Sequence, residues 1–220
     1  MRNRITLILT LSLLLSSCEF TINTNNSKSV DLGKMPKVES KTFENLYVAD
    51  EKICESKELP ITRFAIEYPN GYDVETPNDK ENHIVMKKTI ENIVVEELSI
   101  GNSTITLKNK NLTLTLIENV VDNLKKQFPE MEILTVGKKE FNGEMNYLFE
   151  GKVDYSDFIE QGYNGVYKIM FVIPLPKENE ELNAVMISMI ANEQSEIKTF
   201  ADFTNKGMLG KVYKTFRYIE

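Results

Sequence analysis

The side chains able to do covalent chemistry are scarce in this 220-residue chain: one histidine, His83, and two cysteines, Cys18 and Cys54. His83 stands beside Asn82 at the start of an apolar run, where an imidazole could act as a general base or ligate a metal. No Ser-His-Asp spacing accompanies it, and no second histidine completes a zinc set. A solvent-facing strand residue is the simpler reading. Cys54 would need His83 as its base for nucleophilic catalysis. An unpaired thiol cannot form an internal disulfide, so a half-buried spectator is the simpler reading here too. Asp154, Asp157 and Glu160 fall three apart and, on a helix, would share a face able to attract calcium or magnesium. They lack the D-x-D-x-D-G loop pattern, and a solvated acidic turn accounts for them. The acidic run at 177–181 reads as a hairpin tip. A hydrolase using Cys54 or His83, or a metal-dependent accessory protein using the three acids, are therefore the alternatives. The expectation is a non-enzymatic protein with no resident metal or cofactor.

Aromatic residues offer a binding surface instead. Tyr155, Phe158, Tyr163 and Tyr167 cluster around Gly162 and Gly165, between two strand-like runs. Aromatics on such a connection can recognise a protein or small ligand. The competing role is to cover the edge of a sheet.

Cys18 has the most specific surroundings. Arg2 and Arg4 precede an apolar-rich stretch, ITLILTLSLLL, which has the basic and short hydrophobic regions of a signal peptide. That stretch is well short of the roughly 20 residues a membrane-spanning helix needs. Leu15-Ser16-Ser17-Cys18 then resembles the bacterial lipobox. The resemblance implies cleavage before Cys18, with 1–17 removed, a diacylglycerol on the thiol, and an acyl chain such as palmitate on the new amine. Two or three acyl chains give stable anchoring where one gives marginal binding. The resemblance places the protein in the cell envelope. Glu19, standing where Asp would signal inner-membrane retention in enterobacterial sorting, favours the outer membrane.

Composition agrees with an anchored domain. The formal charge is −7, and losing Arg2 and Arg4 with a leader makes it −9. So acidic a body repels phosphate backbones, which excludes nucleic acid as a partner. It also repels anionic lipid, so attachment has to come from the lipid on Cys18 rather than from a basic patch. Hydrophobic residues make up 41%, enough for a packed core.

The remaining elements follow from periodicity. Residues 18–42 are polar and without period, a solvated tether; 43–60 form an edge segment, strand or helix; the domain proper runs from 61 to 220. RFAIEYP alternates and reads as a half-buried strand, turned by Pro69-Asn70-Gly71. YDVETPND, HIVMKKT and ENIVVEELSI extend an antiparallel meander to about residue 100. Residues 112–128 carry a helical stripe that includes Val121, ended by Pro129. MEILTVGKKEF and EMNYLFEGKV form a hairpin about Asn142-Gly143. VYKIMFVI and AVMISMI are apolar on both faces, so the sheet should be covered on both. SEIKTFADF, MLGKVYKTF and the 112–128 helix are the natural covers, with the last residues ending as strand or helix.

This order of elements resembles the PsbP-like family. Phe64-Ala65-Ile66-Glu67-Tyr68-Pro69-Asn70-Gly71-Tyr72 is similar to that family's F-x-I-x-Y-P-x-G-W opening, with Tyr72 in the Trp position. Val212-Tyr213-Lys214-Thr215-Phe216-Arg217 is similar to its closing (I/V)-x-x-S-F-(R/K). The resemblance covers 61–220. It implies an α+β fold, an antiparallel sheet covered by helices on both faces in an α/β/α sandwich. It also implies a non-enzymatic role, with no active-site residue to carry over.

Overall fold

A computed structural model describes residues 42–77, 82–102, 118, 121–122, 125–126, 131–141, 144–174 and 183–219. Cys18, the leader, most of the tether, the Asn142-Gly143 turn and the 177–181 run lie outside the described residues.

Two antiparallel sheets form the body. A seven-stranded sheet has the order β3-β4-β5-β9-β8-β7-β6, and a three-stranded sheet the order β1-β2-β10. The strands are β1 (Asn45–Ala49), β2 (Phe64–Tyr68), β3 (Asp73–Glu75), β4 (Asn82–Ile90), β5 (Ile93–Asn102), β6 (Glu132–Phe141), β7 (Glu144–Asp154), β8 (Val166–Ile173), β9 (Val185–Ala191) and β10 (Arg217–Tyr218). β3, β4 and β5 make the expected meander. RFAIEYP, however, does not belong to it. It is β2, the centre of the smaller sheet, with β1 on one side and β10 on the other. Nor is it half-buried: Ala65 and Glu67 are buried as fully as Phe64 and Ile66, because β2 is covered on both faces, and alternation leaves a strand's neighbours open.

β9 is buried at all seven positions and β8 at six of eight, in agreement with their apolar residues on both faces. Each such Ile or Met contributes about 1.5–3 kcal/mol on burial. One face of the large sheet presents Met86, Leu98, Ile100, Met170, Ile187 and Met189 to a core shared with Phe64 and Ile66 of β2. The opposite face presents Phe149, Ile169, Phe171 and Ile190 to a second core.

The cover differs from a pair of helical layers. The first core is closed mainly by the small sheet, together with α2 (Asp202–Asn205) and α3 (Gly207–Tyr213), which contribute Phe203, Leu209 and Val212. Both C-terminal helices thus lie on one face. The helix expected over SEIKTFADF shrinks to α2. Ile197 N–H donates to Ser195 Oγ at 2.9 Å, and Thr199 N–H to Asp202 Oδ2 at 2.8 Å. Side chains that take backbone N–H groups in this way compete with helix formation. On the second face, Val121 is buried, while Glu118, Asp122, Lys125 and Lys126 are exposed in helical backbone; Val121 and Met131 join that core.

The two motifs that carry the family resemblance meet in space. Thr215 Oγ1 accepts the Glu67 N–H at 2.8 Å, and Arg217 Nη2 reaches the buried Glu67 carboxylate at 3.1 Å. Phe64 and Phe216 stack with centroids 5.6 Å apart. Glu67 also accepts the backbone N–H groups of Thr42 and Phe43. The carboxylate therefore fixes the point where the chain enters the body. Burial raises the Glu67 carboxyl, but the hydrogen bonds from Thr42 and Phe43 and the Arg217 guanidinium outweigh it, and the net shift is downward. Between β1 and β2 lies α1 (Glu51–Ser56), capped by Asp50, whose carboxylate accepts the Ile53 N–H at 2.8 Å.

Candidate functional site

One end of the seven-stranded sheet gathers most of the polar and aromatic residues singled out above. There β4 turns into β5, β7 leaves through a 3-10 turn (Ser156–Gln161) into β8, and β9 ends. Asp154 initiates the turn by accepting Ser156 N–H at 2.8 Å and Ser156 Oγ at 2.5 Å. Gly162 terminates it with φ 83°, a left-handed conformation natural to glycine. A Cβ at Gly162 would also stand 3.2 Å from the Asn92 carbonyl, so this turn packs directly on the β4–β5 hairpin.

The turn folds the aromatics inward. Tyr155, Tyr163 and Tyr167 are buried and Phe158 is half-buried. Tyr155 is central, with ring centroids 5.5 Å from Phe158, 5.6 Å from Tyr163 and 5.3 Å from Tyr167. The Tyr163 and Tyr167 hydroxyls are used internally. Tyr167 donates to the Val94 carbonyl and Tyr163 to Glu97 Oε2. Asn192 Nδ2 donates to Tyr167 at 3.4 Å. Burial raises the pKa of all three phenols, helped for Tyr155 and Tyr163 by the Glu97 charge. Burial likewise raises Glu97 against the opposing Tyr163 hydrogen bond. Phenols so protonated are poor general bases near neutrality. The four residues are brought together as expected, but as a packed plug of the second core. The surface over it is Phe158 in part, Ile159 and Val166.

The other sequence candidates are separated. His83 is buried, where a solvent-facing position was expected. It sits at an irregularity between Asn82 and Ile84 that breaks the strand's alternation. Its Nε2 lies 2.9 Å from Asn102 Oδ1, its ring packs edge-on against Phe64 at 5.1 Å, and Nδ1 has no hydrogen-bond partner among the described residues. Burial lowers its pKa to about 4. Cys54 is buried on α1 and its sulfur lies 3.5 Å from the Thr62 carbonyl; burial raises the thiol. Each side chain thus has its own partner, and no Cys–His pair forms. Among the described residues no group of three or more His, Cys, Asp or Glu could hold a metal ion. Asp154 is committed to Ser156, and the 3-10 turn is interrupted at Phe158 (φ −112°) between Asp157 and Glu160.

Two polar features at this end were not singled out in the sequence. Glu96 is fully buried, accepting Ser195 Oγ at 2.7 Å and Tyr72 hydroxyl at 2.9 Å, with Lys88 Nζ at 3.9 Å. Lys152 and Lys168 face each other across β7 and β8. Lys152 reaches Glu132 at 3.4 Å, but no hydrogen bond or ion pair among the described residues engages Lys168. Burial, then the Lys198 and Lys152 charges, lowers the Lys168 pKa. Both features are visible in the sequence as charges inside apolar strands, Glu96-Glu97 in IVVEELSI and Lys168 in VYKIMFVI.

No protein-family model matches the chain, and no curated protein does. The fold is similar to the solution structure of cyanobacterial PsbP (CyanoP) from Synechocystis sp. PCC 6803. That match has 14% identity and a TM-score of 0.50, over 86% of this chain and 99% of that one. A type VI secretion immunity protein, TplEi of Pseudomonas aeruginosa, solved with an "L" peptide, matches at 16% identity over 61% of this chain and 47% of that one, with a TM-score of 0.34. The first likeness establishes a PsbP-like fold for the described body. No described helix is long and apolar enough to cross a membrane.

Proposed function

We propose that this chain is a lipoprotein of the bacterial cell envelope, anchored through acylated Cys18, whose PsbP-like domain has a non-enzymatic binding or accessory role. The observation that carries this reading is the order at the N-terminus: Arg2 and Arg4, a short apolar run, Leu15-Ser16-Ser17, then Cys18. The different partners of Cys54 and His83, and the internal hydrogen bonds of the Tyr163 and Tyr167 hydroxyls, support a role without covalent chemistry. In this reading residues 18–42 are the tether, whose last residue, Thr42, is received by the Glu67 clamp. The described part of the 112–128 stripe, with Val121 inward and Glu118, Asp122, Lys125 and Lys126 outward, supports a helical cover over the second core in this reading.

Growth of expressing cells with labelled fatty acid tests the anchor. The wild-type chain should carry label and fractionate with membranes, and Cys18→Ala should carry none. Label retained by Cys18→Ala would refute the reading.

A further inference from the structure

We propose that the end of the seven-stranded sheet at which the chain enters is a membrane-contact surface, seating on a zwitterionic phospholipid bilayer with Ile159 and Val166 at headgroup depth and Lys168 toward a lipid phosphate. The inference deepens the anchored reading above and rests on it.

The first support is where the chain enters. Thr42 and Phe43 are bound to Glu67. Asn45 pairs with Tyr68, and Asn45 Nδ2 donates to Asn70 at 2.9 Å. Tyr72, two residues on, reaches Glu96 on β5. Glu96 pairs with Lys88 and Ala191 in the last rows of the sheet before β4 turns and β9 ends. The entry point therefore lies at the same end as the 3-10 turn. The chain from Cys18 to Thr42 has a contour of at most about 80 Å. As a polar coil it would span only about 27 Å on average. Such a linker holds this end near the surface that carries the lipid.

The second support is what this end exposes. Ile159 is 57% and Val166 53% exposed, the two highest values among the exposed large apolar side chains, and Ile90 of the β4–β5 hairpin is also exposed. Ile61, in contrast, is exposed at the far end, where its carbonyl accepts Asn183 N–H just before β9 begins. Apolar side chains ringed by polar groups suit the boundary between headgroups and acyl chains.

The third support is charge. Lys168 and Lys152 stand directly opposite one another, a like-charge pair that Glu132 beside Lys152 and the Asp202 and Glu193 charges near Lys168 offset only in part. Asp157 and Glu160 are exposed on the neighbouring turn. Both signs side by side complement a headgroup that carries a phosphate and an amine. An anionic lipid surface would instead be repelled by the net charge of the chain from Cys18 onward, −7 for the full sequence less Arg2 and Arg4, or −9.

The chain contains no tryptophan, so one introduced indole is a unique reporter. The chain from Cys18 onward can be coupled through the Cys18 thiol to maleimide phospholipid, Cys54 being buried. The vesicles are phosphatidylcholine and phosphatidylethanolamine containing bromine-labelled phospholipid. Supplying the anchor chemically makes the result independent of whether cells acylate Cys18, which the labelling experiment decides separately. Ile159→Trp should be quenched and blue-shifted on vesicles, and Ile61→Trp should not. Both positions are exposed, so neither substitution threatens folding. Adding Lys168→Gln to Ile159→Trp should lower the docked-to-undocked ratio about tenfold, the effect of losing one charge-assisted hydrogen bond. Equal quenching at both positions, no quenching at 159, or quenching confined to phosphatidylglycerol vesicles would each overturn the proposal.

Discussion

Replacing Tyr167 by Phe removes a single oxygen from the middle of the aromatic cluster and keeps the ring. That oxygen donates to the Val94 carbonyl. It also accepts from Asn164 N–H and Asn192 Nδ2, each at 3.4 Å. After the change, the Val94 carbonyl retains the Asn192 amide at 3.5 Å, at the outer limit of a hydrogen bond. Tyr167 is wholly buried, so water cannot readily replace the hydroxyl. Leaving buried polar groups without a partner costs about 1–3 kcal/mol. For a domain of this size about 2 kcal/mol lowers the Tm by about 4–8 °C. Differential scanning calorimetry of the full chain at neutral pH measures it. A cluster held on the surface for recognition would behave differently, since Phe in place of Tyr would leave the Tm almost untouched and change only ligand binding. A Tm within about 1 °C of wild type would refute the assignment of these tyrosines to the core.

Three further outcomes are expected. The His83 pKa is lowered to about 4 from 6.5, so between those values the unfolded chain binds the extra proton and stability falls as the pH drops. Roughly 3 kcal/mol should be lost across that window. Glu97, raised by burial, works in the opposite sense, so the imidazole is isolated as the difference between wild type and His83→Gln in urea unfolding at each pH; parallel curves would contradict it. At Gly151 a Cβ would lie 2.9 Å from the Glu132 carbonyl on the adjacent strand and 2.8 Å from the Phe149 ring, so Gly151→Ala should cost about 1–3 kcal/mol in the same unfolding assay. Arg217→Ala removes the 3.1 Å contact to Glu67. With the guanidinium partly solvated, the expected loss is about 1–2 kcal/mol, accompanied by faster amide exchange at Thr42 and Phe43 while β8 stays protected.

The strands were legible because burial on one face or two leaves a period in the sequence. VYKIMFVI and AVMISMI announced a sheet buried on both sides, and Asn142-Gly143 announced a hairpin whose register brings Phe141 opposite Glu144. The division into two sheets was not legible. RFAIEYP carries the same alternation whichever strands flank it, and its pairing with β10 is set by contacts about 150 residues apart, such as Glu67 with Arg217. The burial of His83 was not legible because an irregularity in β4 breaks the strand's alternation there. The aromatic cluster was legible as a cluster, and of its two roles the buried rings fit the cover of the sheet. The 3-10 turn, closed by Gly162 and followed by Gly165 with φ 80°, folds the rings inward, and residue types alone do not encode that geometry. The helices shortened for a related reason: Ser195 and Asp202 hold backbone N–H groups that the helical pattern over SEIKTFADF would have used.

The central claim concerns Cys18, and the intact mass of the chain purified from cell membranes tests it most directly. The expected species begins at Cys18, lacks residues 1–17, and carries the added mass of a thioether-linked diacylglycerol, with or without an amide-linked acyl chain. A chain that begins elsewhere, or begins at Cys18 with an unmodified thiol, would contradict the account.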